Sequence, residues 1–129
     1  MSNNFLKPIA ISVFMLFAAV AMADSFDDVV GAIKTSNSRE ISRFLNSSVE
    51  LTINNNEGVY SKQQAEMMLK NFFAQHTFKS IAIQHRGVSP DAKYAIANYE
   101  TSQGKYRVYI FMKDGGNGLL VHELRFEKE

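Results

Sequence analysis

The C-terminal half of the chain is divided into four segments of about nine residues, near 79–87, 93–101, 105–113 and 119–127. Turn-forming stretches separate them, reading GVSPDA, SQG and DGGNG. Short segments of alternating apolar and polar residues, bounded by such turns, are typical of strands joined by hairpins. These segments are longer than an average strand, and long twisted strands tend to curl. We therefore predict a curved antiparallel meander.

Three amphipathic helices are predicted before the meander. The first begins at Asp24 and carries apolar residues at helical spacing, namely Phe26, Val29, Val30 and Ile33. A second, short helix is predicted after Asn37, which is followed three residues later by Glu40, and it carries Ile41, Phe44 and Leu45. Between the second and third helices, VELTI alternates as a half-buried strand and NNNEG reads as a turn.

The third helix has the strongest local signal in the chain. Ser61 and Gln64 form a capping-box pair at its start. Its apolar residues share one face and are Ala65, Met68, Leu69, Phe72 and Phe73. Helices on one side of a curled sheet define the predicted fold class: α+β, with three N-terminal helices packed on a strongly curved antiparallel sheet, a half-cone.

The first 23 residues have the features of a signal peptide. Lys7 precedes an apolar run over 9–20, and the stretch 21–23 reads Ala-Met-Ala, the small-x-small pattern that precedes cleavage. The run is shorter than the roughly 20 apolar residues that a membrane span needs. We predict a signal peptide over 1–23 and a single domain over 24–129, exported to the periplasm, with no membrane association after cleavage. An uncleaved N-terminal anchor is the alternative.

Composition excludes several classes of function. The formal net charge is +1, so the basic excess of a nucleic-acid-binding protein is missing. The chain has no cysteine, which excludes disulfides, thiolate metal sites and a cysteine nucleophile. HELRF begins like a zinc-protease motif but lacks the second histidine and lies in a predicted strand. We expect no catalytic residue, no metal site and no cofactor.

The loops between the last strands set the faces of the sheet. A two-residue loop at Gln103 and Gly104 would pair Glu100 with Arg107 and Asn98 with Tyr109. A five-residue loop at DGGNG would pair Ile110 with His122 and Met112 with Leu120. A slip of one residue would exchange the faces of a whole strand. The face predicted to lie under the helices carries Ala95, Ala97, Tyr99, Tyr106, Val108, Ile110, Met112, Leu120, His122, Leu124 and Phe126, and His85 is predicted to share it with Ile81 and Ile83.

A few polar side chains in that otherwise apolar row suggest a ligand pocket. Ala95 and Ala97 are small enough to leave space beneath the helices. The predicted pocket residues are Tyr99, Tyr106 and His122 from the sheet, with Met68 and Phe72 from the third helix. The alternative, which we favour, is a closed core in which Phe72 and Phe73 fill the space above the alanines.

The opposite face of the sheet carries aromatic residues edged by charges. Tyr109, Phe111, Ile96 and Val121 form an apolar strip there, an arrangement that suits a protein interface. The predicted interface residues are Ile96, Tyr109, Phe111, Arg107, Glu123 and Arg125. The alternative is a solvated sheet whose large side chains only satisfy strand propensity.

The segments FLNSSVELTI, YSKQQAEMMLKNFF, YRVYIFMK and VHELRFEKE, in this order after two helices, resemble the nuclear-transport-factor-2-like (cystatin-like) superfamily. Within it, the chain is similar to a family of small, exported, uncharacterised bacterial proteins. The resemblance implies a cone of three helices on a bent sheet, a cavity at its wide end and frequent dimerisation through the sheet. Members include enzymes and non-catalytic binding domains, so the fold alone does not settle activity.

Taken together, the sequence favours a non-catalytic exported domain that binds a small apolar ligand or a protein partner, with a homodimer through the outer sheet face. The alternative is a small lyase or isomerase of the steroid-isomerase type. That reading needs a carboxylate in the hollow, and the predicted register places every carboxylate of these strands on the outer face. A third possibility is a structural dimer without a cavity.

Overall fold

The computed structural model describes residues 25–116 and 118–129, which form three helices and six strands. The elements are α1 (Ser25–Lys34), α2 (Ser38–Ser42), β1 (Leu45–Ile53), β2 (Asn56–Ser61), α3 (Lys62–Gln75), β3 (Phe78–Val88), β4 (Ala92–Thr101), β5 (Gly104–Asp114) and β6 (Leu119–Lys128). The predicted signal peptide, residues 1–23, lies outside the described residues. No helix in the described part is long and apolar enough to cross a membrane.

The six strands form one open sheet in the order β2-β1-β6-β5-β4-β3. All neighbours pair antiparallel except β1 and β6, which are parallel. Side chains of the helices and of one face of this sheet, the inner face, form a continuous hydrophobic core. The predicted α+β half-cone is confirmed. The strand β2 was not predicted; the turn is only Asn54 and Asn55, and the chain pairs again from Asn56 onward.

The predicted starts of the second and third helices are confirmed by their caps, and Asp24, the predicted start of the first, lies outside the described residues. The Asn37 side chain accepts a hydrogen bond from the Glu40 backbone N–H at 3.0 Å. Ser61 and Gln64 form the reciprocal capping box, with distances of 3.2 and 3.4 Å. The expectation that the second helix carries Phe44 and Leu45 was wrong, because α2 ends at Ser42, Phe44 lies in the turn that follows and Leu45 is the first residue of β1.

The hairpin between β4 and β5 has a different register from the predicted one. Glu100 pairs with Lys105, their charged groups 3.7 Å apart, and Asn98 pairs with Arg107. The turn residues are Ser102 and Gln103, one position earlier than predicted, since Thr101 pairs with Gly104. Every pairing therefore shifts by two residues, and a shift of two leaves each side chain on its predicted face.

The predicted register of β5 and β6 was wrong, and the observed one changes the position of His122. Ile110 pairs with Leu124 and Met112 with Val121, because a β-bulge interrupts β6 between those pairs. His122 is the extra residue of the bulge and is only half buried, so it does not lie opposite Ile110. Val121 is fully buried in the core, not part of an outer strip as predicted.

The expectation that His85 lies on the inner face was wrong, because a second bulge interrupts β3. Ile83 pairs with Ala97 on the inner face, but His85 pairs with Ile96 on the outer face. The following residue, Arg86, pairs with Ala95 on the inner face and reaches Asp27 of α1 at 3.5 Å. His85 is exposed and does not share the face of Ile81 and Ile83.

Candidate functional site

His76 follows the last turn of α3, and its ring is held by two hydrogen bonds and a stacking contact. Nδ1 lies 2.7 Å from the Phe72 carbonyl oxygen, and Nε2 lies 2.9 Å from the Tyr106 hydroxyl. The ring stacks on that of Phe72 with centroids 4.0 Å apart. Because a carbonyl only accepts, Nδ1 carries the proton, and in neutral imidazole Nε2 accepts from the Tyr106 O–H. The hydroxyl oxygen of Tyr106 therefore keeps a free lone pair.

Tyr106 and Tyr99 are directly opposite each other on β5 and β4, with ring centroids 6.2 Å apart. Burial raises the pKa of Tyr106 above its usual value. Tyr99 is fully buried, and its hydroxyl has no hydrogen-bond partner among the described residues. Burial, and to a smaller extent the neighbouring Tyr106, raise the pKa of Tyr99 to about 12. Only one of the two tyrosines thus has its hydroxyl paired.

Two adjoining surface depressions open beside the C-terminal end of α3. The first, which we call the His76 cleft, has a volume of about 410 Å³ and is lined by Asn54, Gln75, His76, Gln103, Tyr106 and Lys128. The second, the Met68 groove, has a volume of about 260 Å³ and is lined by Ile53, Asn54, Asn56, Met68, Asn71, Phe72, Gln75 and His76. Three lining residues are common to both, so the cleft and the groove are continuous.

The predicted pocket residues do not lie together at one site. Met68 and Phe72 line the Met68 groove, and Tyr106 lines the His76 cleft. Tyr99 is sealed in the core, and His122 lies in the β6 bulge and lines neither depression. Ligand binding by these residues stays a prediction.

His76 was not predicted as a site residue. The usable signal was its spacing from Phe72, since side chains four residues apart lie on one side of a helix. Within the described residues, no group of three His, Asp or Glu side chains could hold a metal ion.

Aromatic rings fill the space between α3 and the inner face of the sheet. The Phe72 ring lies 5.4 Å from that of Tyr106 and 5.2 Å from that of Phe126. Phe126 also contacts Phe73 and Tyr99, at 6.2 and 5.8 Å. This interior agrees with the closed-core alternative and leaves the two depressions at its margin.

The outer face of the sheet carries a group of large apolar side chains on β4 and β5, which we call the outer patch: Tyr94, Ile96, Tyr109 and Phe111. The Tyr94 ring packs on Gly87 so closely that a Cβ there would lie 1.9 Å from a ring carbon. The rings of Tyr94 and Tyr109 are 6.1 Å apart. Tyr94 is 39% exposed, and the other three are half buried.

Arg125 connects the outer patch to the neighbouring charges. Its guanidinium lies 5.5 Å from the centroid of the Tyr109 ring, within cation–π range, and bonds to Glu123. That hydrogen bond raises the pKa of Arg125. Burial and the Glu123 carboxylate raise the pKa of Tyr109. The predicted interface residues thus lie together on one face, with Arg107 exposed beside them.

Solved structures of low sequence identity share this arrangement of helices on a bent sheet. A protein from Nostoc punctiforme described as a domain of unknown function with a cystatin-like fold superposes with a TM-score of 0.67 at 8% identity, over 86% of this chain and 76% of that one. An NTF-2 like protein of unknown function from Silicibacter pomeroyi superposes with a TM-score of 0.64 at 9% identity, over 89% of this chain and 98% of that one. The fold is therefore NTF2-like.

A narrower relationship is also found. A DUF4783 family protein from Bacteroides uniformis is 30% identical and superposes with a TM-score of 0.77, over 80% of this chain and 95% of that one. The family model described as domain of unknown function (DUF4783) matches residues 26–127. This chain belongs to that family. No curated protein matches it.

Proposed function

We propose that this protein is a non-catalytic, exported binding domain that associates with a second copy of itself through the outer face of its sheet. The observation that supports this most is the outer patch, where tyrosine and phenylalanine rings remain partly exposed. Aromatic residues at the centre of a surface and charges at its edge are typical of protein interfaces. The periplasmic location follows from the predicted signal peptide.

The rings of the outer patch are held in place before any partner binds. Tyr94 rests on Gly87 and against Tyr109, and Tyr109 lies under the Arg125 guanidinium. Side chains that are already ordered lose little conformational entropy on association. Tyr94 and Phe111 also face each other directly across β4 and β5, which makes the patch continuous.

Charges of both signs lie on the outer face around the patch. The strands β1, β2 and β6 carry the acidic group, which consists of Glu50, Glu57, Glu123 and Glu127. The strand β5 carries the basic group, which consists of Lys105, Arg107 and Lys113. Arg125 lies within the acidic group and Glu100 beside the basic one, each paired with an opposite charge.

A symmetric dimer joins the same face of two copies, so the outer patch of one copy would lie against that of the other. Because this face carries charges of both signs, a second copy can offer each charged group an opposite charge.

The other readings of the sequence have less support. A small apolar ligand inside the cone would have to displace the rings of Phe72, Tyr106 and Phe126, which occupy that space. The steroid-isomerase alternative needs a carboxylate beside the substrate. The described residues that line the His76 cleft and the Met68 groove offer amides, His76, Tyr106 and Lys128 instead.

Light scattering coupled to size-exclusion chromatography tests the proposal. The purified protein is expected to be a dimer that dissociates more readily at high salt, because the charge groups are screened. Phe111→Asp places a charge in the outer patch and is expected to give a monomer with unchanged circular dichroism.

Met67→Asp is the matched control for that experiment. Met67 is 61% exposed on α3, away from the outer face, so this variant should stay dimeric. A monomeric wild-type protein, or a Phe111→Asp variant that remains dimeric, would contradict the proposal.

A further inference from the structure

The geometry points to a second binding site, independent of the proposed dimer: we infer that the His76 cleft and the Met68 groove together bind a small monocarboxylate that carries an apolar tail. The carboxylate would lie in the cleft and the tail in the groove. The two depressions share Asn54, Gln75 and His76, so one ligand can occupy both.

Lys128 gives the cleft its charge. Among the described residues that line the two depressions, it carries the only formal charge, and no carboxylate faces it there. The stem of Lys128 passes beside Gly104, with Cε 3.4 Å from where a Cβ would lie. Gly104 has a φ of 124°, a conformation that favours glycine, so a side chain beside this stem would be strained as well as crowded.

Three amide side chains supply further hydrogen-bond donors in the cleft. Asn54, Gln75 and Gln103 line the cleft, and the hydrogen bonds that Asn54 and Gln103 form with other described residues come from their backbone N–H groups, which leaves the side-chain amides available. Asn54 is held at the site by its backbone, whose N–H donates to the Phe126 carbonyl at 2.8 Å. One cation with several neutral donors matches the two oxygens of a single carboxylate.

The Met68 groove offers apolar surface, whereas the His76 cleft offers a charge and amide groups. Ile53, Met68 and Phe72 present apolar surface there, and Phe72 is fixed by its stacking on His76. Burying each methylene of a tail on such surface gains about 0.8 kcal/mol. The flexible Met68 side chain can adapt to tails of different shape.

The end of α3 restricts the charge of the ligand. Both depressions lie at its C-terminal end, where the helix dipole is negative and repels anions. The carbonyl oxygens of Phe72 and Phe73 are already bonded by His76, which reduces this repulsion. A singly charged group beside Lys128 is therefore favoured over a phosphate, which carries more charge.

Titration of the ¹⁵N-labelled protein with octanoate, followed by NMR, tests the inference. We expect saturable shifts in the amide signals of Asn54, Gln75 and Gln103. Octanamide, which has the same tail and no charge, should bind at least about tenfold more weakly, because a charge-assisted hydrogen bond is lost. Lys128→Gln should weaken octanoate binding by a similar factor.

Lys70→Gln is the matched control, since Lys70 is exposed on α3 and lines neither depression. It should bind octanoate as the wild type does. Octanoate that does not saturate, that binds no better than octanamide, or that binds equally well to Lys128→Gln would overturn the inference. Shifts confined to the outer patch would overturn it as well, and the dimer experiment is unaffected by any of these results.

Discussion

The two faces of the sheet both carry aromatic pairs at nearly the same spacing, but they use them differently. On the inner face, Tyr99 and Tyr106 have ring centroids 6.2 Å apart and are almost fully buried. On the outer face, Tyr94 and Tyr109 are 6.1 Å apart, and Tyr94 is 39% exposed. The spacing is a property of neighbouring strands. The difference in burial comes from the helices, which cover only one face.

This difference explains why, among the described residues, the charged side chains of the inner face, such as Arg86, lie exposed at its margin and none is buried under the helices. Under the helices, even the Tyr99 hydroxyl lacks a partner among the described residues, so a charged group there would be far more costly. On the outer face, Arg125 and Glu123 remain partly exposed as an ion pair, and the Arg125 guanidinium lies over the Tyr109 ring. The inner rings therefore stabilise the fold, and the outer rings are available for binding.

The largest expected effect comes from truncating one ring on each face. Phe126→Ala removes a fully buried ring that contacts three other rings and should lower the free energy of unfolding by about 3–5 kcal/mol. Phe111→Ala removes a half-buried ring and should cost the monomer about 1 kcal/mol or less. Urea denaturation at low protein concentration measures both, and equal losses would contradict the assignment of the faces.

Alkaline pH should lower the free energy of unfolding through Tyr99 on the inner face, by a smaller amount than Phe126→Ala does. The pKa of Tyr99 is raised to about 12 in the folded protein, whereas an unfolded tyrosine ionises near 10. The folded state thus keeps the proton longer, so the contribution of Tyr99 is fully present below pH 10 and is lost as pH rises from 10 toward 12. The loss should reach about 2 kcal/mol near pH 11.5.

Tyr99→Phe is the control for this pH dependence. The variant should lose less stability between pH 9 and 11.5 than the wild type does in urea denaturation. At neutral pH it should be at least as stable, because it removes a hydroxyl without a partner among the described residues. A variant whose pH dependence matches the wild type would show that Tyr99 is not sealed.

The smallest expected effect concerns the outer patch itself. Gly87→Ala places a methyl group where the Tyr94 ring lies and should cost about 0.5–1 kcal/mol by displacing that ring. In a Tyr94→Ala background the same substitution should cost nothing. A double-mutant cycle from urea denaturation gives the coupling between the two positions, and a coupling near zero would show that the ring does not rest on the glycine.

Alternation of apolar residues was sufficient to predict the inner face of β4 and β5. It survived an incorrect hairpin register because that error was two residues, which preserves the faces. The faces of Leu124 and Phe126 were predicted correctly for the same reason, since a shorter loop and a bulge together displace them by two.

The errors occur where a bulge or a long-range contact decides. The bulges at His122 and in β3 depend on how neighbouring strands pair, and local sequence does not specify them. The same is true of β2, whose polar residues become a strand only by pairing with β1. His76 could not be connected to Tyr106 from sequence, because thirty positions separate them and only the packed fold brings them to 2.9 Å.

Thiol labelling tests the separation of the faces most directly, because the chain contains no cysteine. Single cysteines replace Arg107 and Val108, which are neighbours on β5, the first exposed and the second fully buried. At high dilution, where association does not shield the outer face, Arg107→Cys should react as fast as a free thiol and Val108→Cys only on unfolding. Equal rates, or faster labelling at position 108, would contradict the account.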